Sequence, residues 1–366
     1  MDLKPKILDR YIMKKFMLSF FIAILLIIGV VIIFDISEKI DDFVNNEAPL
    51  KSIIFDYYVN FIPYFMNMFS PLFVFITVIF FTSRLAANSE IIAMLSGGES
   101  YHRLMVPYIM SAVIIALLSL VLNFYVIPKA NVTRVEFEQT YIKYSKGKGV
   151  FNRRNIHYQI APGNFVYVES FSTWNNTAYK MTLETVEDNK LVSKLSAESA
   201  VWDSTMDGWH MRKWMLRDYT AGLQDKVRSG EQLDTVIALK VDDFYRNEKT
   251  VEKLTIGQLN ELIETQKMRG DDNIMFAQIE KQRRMTLPFS AIILTIMGVA
   301  LTSKKKRGGI GWNIALGIGL AFLYILFLRF SEMFVYTGVM SAAMALWLPN
   351  ILYTIIAAVL YRMAPK

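Results

Sequence analysis

The chain has 366 residues, of which 53% are hydrophobic and 25 are Phe, and its formal net charge is +7. It is too apolar for a single soluble globule of this length, and most of the basic excess lies beside apolar runs, where membrane orientation explains it better than nucleic-acid binding does. The absence of Cys excludes disulfides, thiol nucleophiles and Cys-based metal sites.

Six apolar runs, each near the length of about 20 residues that a helix needs to cross a membrane, flank one long polar segment. The predicted spans cover residues 16–34, 61–82, 104–127, 285–301, 310–330 and 339–360. The sequence therefore predicts an α-helical membrane protein with six transmembrane helices and one inserted domain. The predicted divisions are residues 1–127 for the first transmembrane half, 128–272 for the insert, and 273–366 for the second half.

Charges beside the spans predict the orientation of the chain. Basic residues dominate residues 1–15, whereas acidic residues dominate the following loop at 35–60. The basic loop 303–309 repeats the pattern after the fourth span. By the positive-inside rule both termini lie in the cytoplasm, and the insert lies on the opposite side of the membrane.

The insert begins with a predicted amphipathic lead-in at residues 129–146 and then changes to a period of two residues. Candidate strands cover residues 156–160, 165–171, 179–186, 191–203, 209–219 and 233–240. Tyr179, Met181 and Leu183 are expected to share one buried face. Such evenly spaced strands indicate a β-sandwich, a jelly roll or an open barrel, and the pattern does not distinguish among them. A helix follows from Thr255 and is expected to break near Gly270.

The segment between the second and third spans, Ser83–Arg103, has a helical pattern of its own. Four apolar residues form its stripe: Leu85, Ile91, Ile92 and Leu95. Residue 88 or 89 can cap the helix, with Glu90 in its first turn, and Gly97 and Gly98 can end it. A helix of this kind either receives force from a separate motor or rests on lipid headgroups. Glu90 favours the motor, because anionic headgroups repel a carboxylate.

Motifs for catalysis are missing. The sequence has no phosphate-binding GxxxxGK[ST] loop, no HExxH pair and no GxSxG. Acidic residues are nearly absent from the span interiors, which argues against a proton relay. We therefore expect a non-catalytic protein that binds no metal. In the fifth span, Gly311, Ala315 and Gly319 recur every four residues and suggest a smooth contact face, although Gly is also common in membrane helices generally.

Several motifs together resemble the LptF/LptG permease family of lipopolysaccharide export, and more closely its LptG branch. The likeness is carried by Leu8–Ile12, by Asn88–Met94 followed by Ser96-Gly97-Gly98, and by Gly163–Glu169. The helical return at 254–269 and the start of the fourth span at 284–288 also fit. The order of these motifs within a three-span, β-domain, three-span layout is more specific than any one of them.

The resemblance implies a permease subunit of an ABC transporter that extracts lipopolysaccharide from the bacterial inner membrane. Its insert would be a periplasmic β-jelly roll, and its first and fifth spans would form lateral gates. The implied partners are a second, LptF-like permease, a cytoplasmic LptB-like ATPase dimer that binds ATP and Mg²⁺, and LptC/LptA-like jelly-roll proteins. This chain itself would bind no cofactor.

The resemblance also implies a coupling helix at about residues 84–98, which would dock on the ATPase. The implied coupling residues are Glu90, Ile91, Met94, Gly97 and Gly98. Basic residues at the outer end of the first span would contact lipid phosphates, and Lys39 alone matches there, because residues 35–39 are otherwise more acidic than the pattern.

Basic residues near the outer ends of the fourth and fifth spans are a physical alternative for the phosphate contact: Lys281, Arg283, Arg284 and Arg329. Of these, Arg284 and Arg329 join Lys39 as candidates. Arg329 is preferred because it ends the fifth span, one of the gates that the resemblance implies, and because a guanidinium can bind a phosphate through two hydrogen bonds. Each of the four can instead extend to phospholipid headgroups without any specific role.

Aromatic and Met side chains of the insert are candidates for a lipid path: Phe165, Tyr167, Phe171 and Met181. The alternative is that they fill a core. Two rival functions remain open at this level. One is a mechanotransmitting ABC membrane subunit that acts on periplasmic partners without moving lipid, and the other is an anchored assembly factor without an ATPase.

Overall fold

The computed structural model describes residues 7–142, 153–172, 174–219, 225–244, 248–271, 273–303 and 309–364. The chain divides into two compact units. One unit comprises Met1–Phe137 with Gln278–Lys366, and the other comprises Glu138–Ala277.

Six helices among the described residues are long and apolar enough to cross a membrane, which confirms the predicted number of spans. They are α1 (Ile7–Asn45), α2 (Leu50–Ala87), α4 (Tyr101–Tyr141), α7 (Ile274–Thr302), α8 (Gly309–Tyr336) and α9 (Ala342–Met363). The shorter helices are α3 (Glu90–Ser96), α5 (Glu248–Val251) and α6 (Ile256–Arg269), and a 3₁₀ turn covers Val241–Phe244.

Five of the six helices extend beyond both ends of the apolar runs that predicted them, whereas α9 begins at Ala342, three residues after its predicted start. Helix α1 has 39 residues, because backbone hydrogen bonding continues after hydrophobicity ends. The predicted lead-in at 129–146 is part of α4 as far as Tyr141, and its last residues, 143–146, lie outside the described part of the chain. Two π-helical segments, Ile53–Tyr58 and Leu122–Val126, interrupt α2 and α4. Hydropathy thus locates the lipid-embedded stretch of a helix but not its ends.

The transmembrane unit packs around regular apolar stripes. In α1 every fourth residue from 12 to 28 is buried: Ile12, Phe16, Phe20, Ile24 and Ile28. This spacing places all five on one helix face. They join a core with residues of α2 and α4, such as Phe73, Val78 and Tyr108.

The smooth face predicted in the fifth span is not packed against any described part of this chain. A Cβ atom at Gly311 or Gly319 would meet nothing within 4 Å. The close approach is instead at Gly317, where a Cβ atom would overlap the Cδ1 atom of Ile79. Recurrence of small residues in a sequence does not show which of them faces a neighbouring helix.

The insert is an antiparallel sheet of six strands, as expected for an all-β domain. The strands are β1 (Arg153–Ala161), β2 (Asn164–Ser172), β3 (Thr177–Glu187), β4 (Lys190–Asp203), β5 (Gly208–Asp218) and β6 (Lys226–Thr235). Each strand pairs with its neighbours in sequence, so the described sheet is a meander. The crossed connections that define a jelly roll do not occur between these six strands.

The sixth strand differs from its predicted range of 233–240. It spans Lys226–Thr235, pairs with β5 at one edge of the described sheet, and is almost fully exposed. The apolar run after it is not part of the strand: Leu239 is buried against the sheet. An edge strand with little buried surface lacks the alternating pattern that sequence reasoning depends on.

Four charged residues, one from each of the strands β2 to β5, form a line across the sheet. At this line the distance along a strand between successive inward-facing residues changes from two positions to three. The four charged residues are Glu169, Lys180, Glu198 and Lys213, and we call the line the sheet crease. Buried residues on either side of it include Val168 and Phe171 in β2. Lys180 and Lys213 have positive φ values of 48° and 47°.

Ion pairs join the strands along the crease, from Lys180 to Glu169 (2.6 Å) and from Lys213 to Glu198 (2.9 Å). The paired carboxylates raise the pKa of Lys180 and of Lys213. The crease makes the prediction for Tyr179 wrong. Tyr179 is 41% exposed although Met181 is buried, because the left-handed residue between them reverses the alternation of side chains.

The inner face of the sheet, which carries Val166 and Met181, is closed at one end by the segment after β6. Trp209 Nε1 donates a hydrogen bond of 2.8 Å to the carbonyl of Leu239. The ring of Phe244 stacks on Phe171 with 4.1 Å between centroids. At the other end of the inner face, residues such as Leu183 and Leu216 are only partly buried.

Candidate functional site

Helix α3 connects α2 to α4 and is anchored on one side. Ile91 is 1% exposed within the core that includes residues of α1, α2 and α4, and Met94 packs against the same core. Ile92 is half exposed on the other side. The helix ends at Ser96, after which Gly98 adopts a φ of +90°, as the predicted glycine stop requires.

The helix is shorter than the predicted range of about 84–98, because residues up to Ala87 belong to α2. Ser89 occupies the N-cap position with a left-handed φ of 60°, but its side chain makes no capping hydrogen bond. The first turn of α3 is held instead through Glu90.

Both carboxylate oxygens of Glu90 accept a hydrogen bond. The hydroxyl of Tyr11 donates to Oε2 (3.1 Å), and Asn88 Nδ2 donates to Oε1 (3.3 Å). Lys15 donates to the Tyr11 hydroxyl, and its ammonium lies 4.2 Å from the centre of the Tyr11 ring. The candidate coupling carboxylate is therefore held in one orientation against α1.

A cluster of three Arg and two Glu residues lies where α7 and α8 meet. Arg284, at 1% exposure, donates through Nε to Glu280 (2.7 Å). Arg283 donates to Glu332 through Nη2 and Nε (3.0 and 3.1 Å). The same guanidinium lies 3.4 Å from Glu280. Buried charges are stable only when they are paired. Glu332 and Glu280 therefore serve as structural partners of Arg283 and Arg284.

Arg329 differs from the other two arginines of the cluster. Its Nη1 atom donates to Glu332 Oε2 (2.9 Å), but its side chain is 46% exposed. The cluster has one more positive than negative charge, and Arg329 is its accessible member. A guanidinium that uses one nitrogen for a carboxylate has further N–H donors for an anion.

Lys39 lies among aromatic residues near the C-terminal end of α1. Its ammonium donates to Asp35 and to the hydroxyl of Tyr57, and it lies 4.9 Å from the centre of the Tyr57 ring. Asp35 also accepts a bond of 3.1 Å from the hydroxyl of Tyr58. The charge of Lys39 is thus balanced within this chain.

The four candidates for a lipid path do not share a face. Phe171 and Met181 are buried on the inner face of the sheet. Phe165 is 40% exposed on the opposite face, and the hydroxyl of Tyr167 donates to Asn155 (3.0 Å). The change of spacing at the crease separates the two pairs, because Phe165 and Tyr167 precede it in β2 and Phe171 follows it. Phe171 lies at the closed end of the inner face, stacked on Phe244, so Met181 is the candidate nearer the partly open end.

Sequence reasoning missed Tyr11, Tyr57 and Glu332. The bond from Tyr11 to Glu90 joins residues 79 positions apart, and no local pattern encodes it. Part of the Arg cluster has a local signal, because Glu280 and Arg284, and Arg329 and Glu332, are separated by four and three positions. Such pairs face each other on a helix.

A family model described as "Lipopolysaccharide export system permease LptF/LptG" matches residues 10–363. The match includes α3, the Arg cluster and the whole β-sheet. No curated protein matches the sequence. One model describes both branches of the family, so the closer likeness to LptG stays a prediction.

Proposed function

Because the chain belongs to the LptF/LptG family of lipopolysaccharide export permeases, we propose that it couples ATP hydrolysis by a separate subunit to the extraction of lipopolysaccharide. The family consists of permeases rather than catalytic enzymes. In this proposal an LptB-like ATPase dimer binds ATP and Mg²⁺, and an LptF-like permease completes the membrane complex. LptC/LptA-like jelly-roll proteins then receive the lipid.

Helix α3 carries the proposal. Only residues 88–89 and 97–100 separate it from α2 and α4, so a displacement of α3 is passed directly to two membrane spans. Glu90 presents a fixed carboxylate, and the exposed side of the helix, with Ile92, is available for contact. A cationic groove on an ATPase would complement such a surface.

The proposed orientation has both termini and α3 in the cytoplasm and the β-domain in the periplasm. It is supported by the basic residues at the start of α1 and by the acidic residues of the loop after it. The basic residues 304–307, which were predicted to reinforce this orientation, lie outside the described part of the chain. A multi-pass inner-membrane protein follows from the six apolar helices and the family.

We assign the lipid-phosphate contact first to Arg329, because it is the exposed cation of the Arg cluster. Arg284 acts in this assignment as a buried support, since its guanidinium is paired with Glu280. Lys39 contributes only when a phosphate displaces Asp35 from its ammonium. The acyl chains would lie on the inner face of the sheet, beyond Met181 toward Leu183.

The test is ATP-driven release of lipopolysaccharide from proteoliposomes that contain the full complex, with Glu90→Arg compared with Glu187→Arg. The control makes the same charge reversal on an exposed residue at the end of β3. We expect Glu90→Arg to abolish release and ATPase binding, and Glu187→Arg to preserve both. Full release by Glu90→Arg would exclude the coupling role.

Two other outcomes identify the rival functions. An ATPase that binds and hydrolyses ATP without any release of lipopolysaccharide by the unaltered complex would favour the mechanotransmitting subunit. Failure of any ATPase to copurify with the unaltered chain would favour an anchored assembly factor.

A further inference from the structure

A cleft of about 280 Å³ opens between α1 and α2, beside Glu90. Its polar wall includes Lys15 and Arg84, and its apolar wall includes Leu18 and Phe80. We infer that this cleft binds the phosphate headgroup of an anionic glycerophospholipid from the cytoplasmic leaflet. The inference depends on the membrane orientation proposed above, but not on which lipid the permease exports.

The charges of the cleft favour an anion. Lys15 and Arg84 contribute two positive charges against the one carboxylate of Glu90. Both oxygens of that carboxylate already accept hydrogen bonds, from Tyr11 and Asn88. Within the described part of the chain, the exposed guanidinium of Arg84 has no ion-pair partner. A phosphate between the two cations would gain charge-assisted hydrogen bonds from both.

The two cations lie at the same edge of the membrane. Lys15 immediately precedes the apolar run that begins at Phe16, and Arg84 follows the run that ends near Thr82. Neighbouring helices that begin and end their apolar runs at these positions bring both cations to one boundary between hydrocarbon and water. Basic pockets between spans at the cytoplasmic boundary are suited to phospholipid headgroups.

The apolar wall distinguishes a lipid from a free phosphate. Leu18 and Phe80 lie about one helical turn from Lys15 and Arg84, toward the middle of their spans. They are 57% and 45% exposed, so they present open apolar surface next to the headgroup position. Acyl chains leaving the headgroup would cover this surface, whereas inorganic phosphate would leave it bare.

The position of the cleft also places the lipid close to the coupling residue. Lys15 donates to the Tyr11 hydroxyl, which in turn donates to Glu90. An anion bound to Lys15 is therefore two hydrogen bonds away from the carboxylate that orients α3.

The experiment measures phosphatidylglycerol retained by the full-length protein in native mass spectrometry, with phosphatidylethanolamine as the neutral competitor. The test variant is Lys15→Gln/Arg84→Gln. The matched control is Arg10→Gln/Lys14→Gln, which removes the same charge from exposed residues of α1 outside the cleft. We expect about a tenfold loss of phosphatidylglycerol affinity in the test variant and less than about a twofold change in the control.

Three results would overturn the inference. Equal losses in both variants would mean that only diffuse surface charge attracts the lipid. Release of the bound lipid by millimolar inorganic phosphate would indicate a site for a free anion. A photoreactive residue at Leu18 is expected to capture phospholipid, and capture of a protein helix instead would show that a partner fills the cleft. Lipopolysaccharide release is scored separately, so failure here leaves the exporter proposal standing.

Discussion

The guanidinium of Arg103, in the first turn of α4, binds the carboxylate of Asp9 in α1 through two parallel hydrogen bonds. Nη1 and Nη2 of Arg103 lie 2.9 and 2.5 Å from the two oxygens of Asp9. Asp9 is almost completely buried. The pair joins the first span to the third at the end where α3 lies. It therefore holds α4, to which α3 is connected, in position against α1.

This pair gives the first prediction. Asp9→Asn removes the acceptor charge and leaves Arg103 facing a neutral amide, so we expect a lower melting temperature of the purified protein in detergent. Arg103→Lys retains the charge but loses the second hydrogen bond, and we expect a smaller decrease. The double variant Asp9→Asn/Arg103→Gln should be less destabilised than the sum of its single variants. Strict additivity would show that the two residues do not interact.

The second prediction separates structure from lipid contact in the Arg cluster. Glu332 is buried and accepts from both Arg283 and Arg329. Glu332→Gln should cost about 3–5 kcal/mol of unfolding free energy, because it leaves the buried charges of Arg283 and Arg284 with the single carboxylate of Glu280 between them. Arg329→Gln, at an exposed position, should cost no more than about 1 kcal/mol.

The release assay measures the role of Arg329 apart from its effect on stability. If it contacts lipid phosphate, Arg329→Gln should reduce lipopolysaccharide release at nearly unchanged stability. The assignment of Arg329 would be contradicted if Arg329→Gln unfolded as easily as Glu332→Gln. It would also be contradicted if Arg329→Gln released lipopolysaccharide normally.

The third prediction concerns the contact between α2 and α8. Gly317→Ala places a methyl group against Ile79, which is itself 1% exposed and cannot move aside easily. We expect a loss of about 1–3 kcal/mol in stability, as for other overpacked cores. Gly319→Ala is the matched control, since nothing lies within 4 Å of the added atom. Thermal unfolding that ranks the two variants equally would show that α8 does not pack through residue 317.

The fourth prediction is a pH dependence in the β-domain. The hydroxyl and backbone N–H of Thr205 both donate to Asp203 at 2.7 Å and hold the pKa of that carboxyl below its ordinary value of 3.8. His210 contributes in the same direction from 3.2 Å. A depressed carboxyl pKa stabilises the fold above the ordinary value, and this contribution is lost as the pH falls through the folded pKa.

Thr205→Ala should therefore lower the melting temperature at pH 7, and the difference from the unaltered protein should shrink as the pH falls below 3.8. Thr205→Ser retains the hydroxyl donor and should show no such difference. Unfolding of the full chain monitored between pH 7 and pH 3 makes the comparison. A difference that stays constant over this range would place the effect elsewhere.

The sequence by itself determined the six spans, the all-β insert, most of the strand ranges and the glycine stop after α3. Each depends on local information: an apolar run, an alternation of two residues, or a residue that tolerates positive φ. It failed where the local signal was absent or misleading. The exposed edge strand β6 has almost no buried face, and the crease at Lys180 reverses the alternation that Tyr179 and Met181 were expected to share.

Only the tertiary structure decided which charged residues are supports and which are accessible. The sequence does not show that Arg284 is buried and Arg329 accessible, yet one is 1% exposed and the other has a side chain that is 46% exposed. Likewise, nothing local to Glu90 predicts that Tyr11 holds its carboxylate, or that Lys15 and Arg84 line one cleft. Burial and pairing at these positions arise when helices distant in sequence meet, and the helical period of each one contains no information about its neighbour.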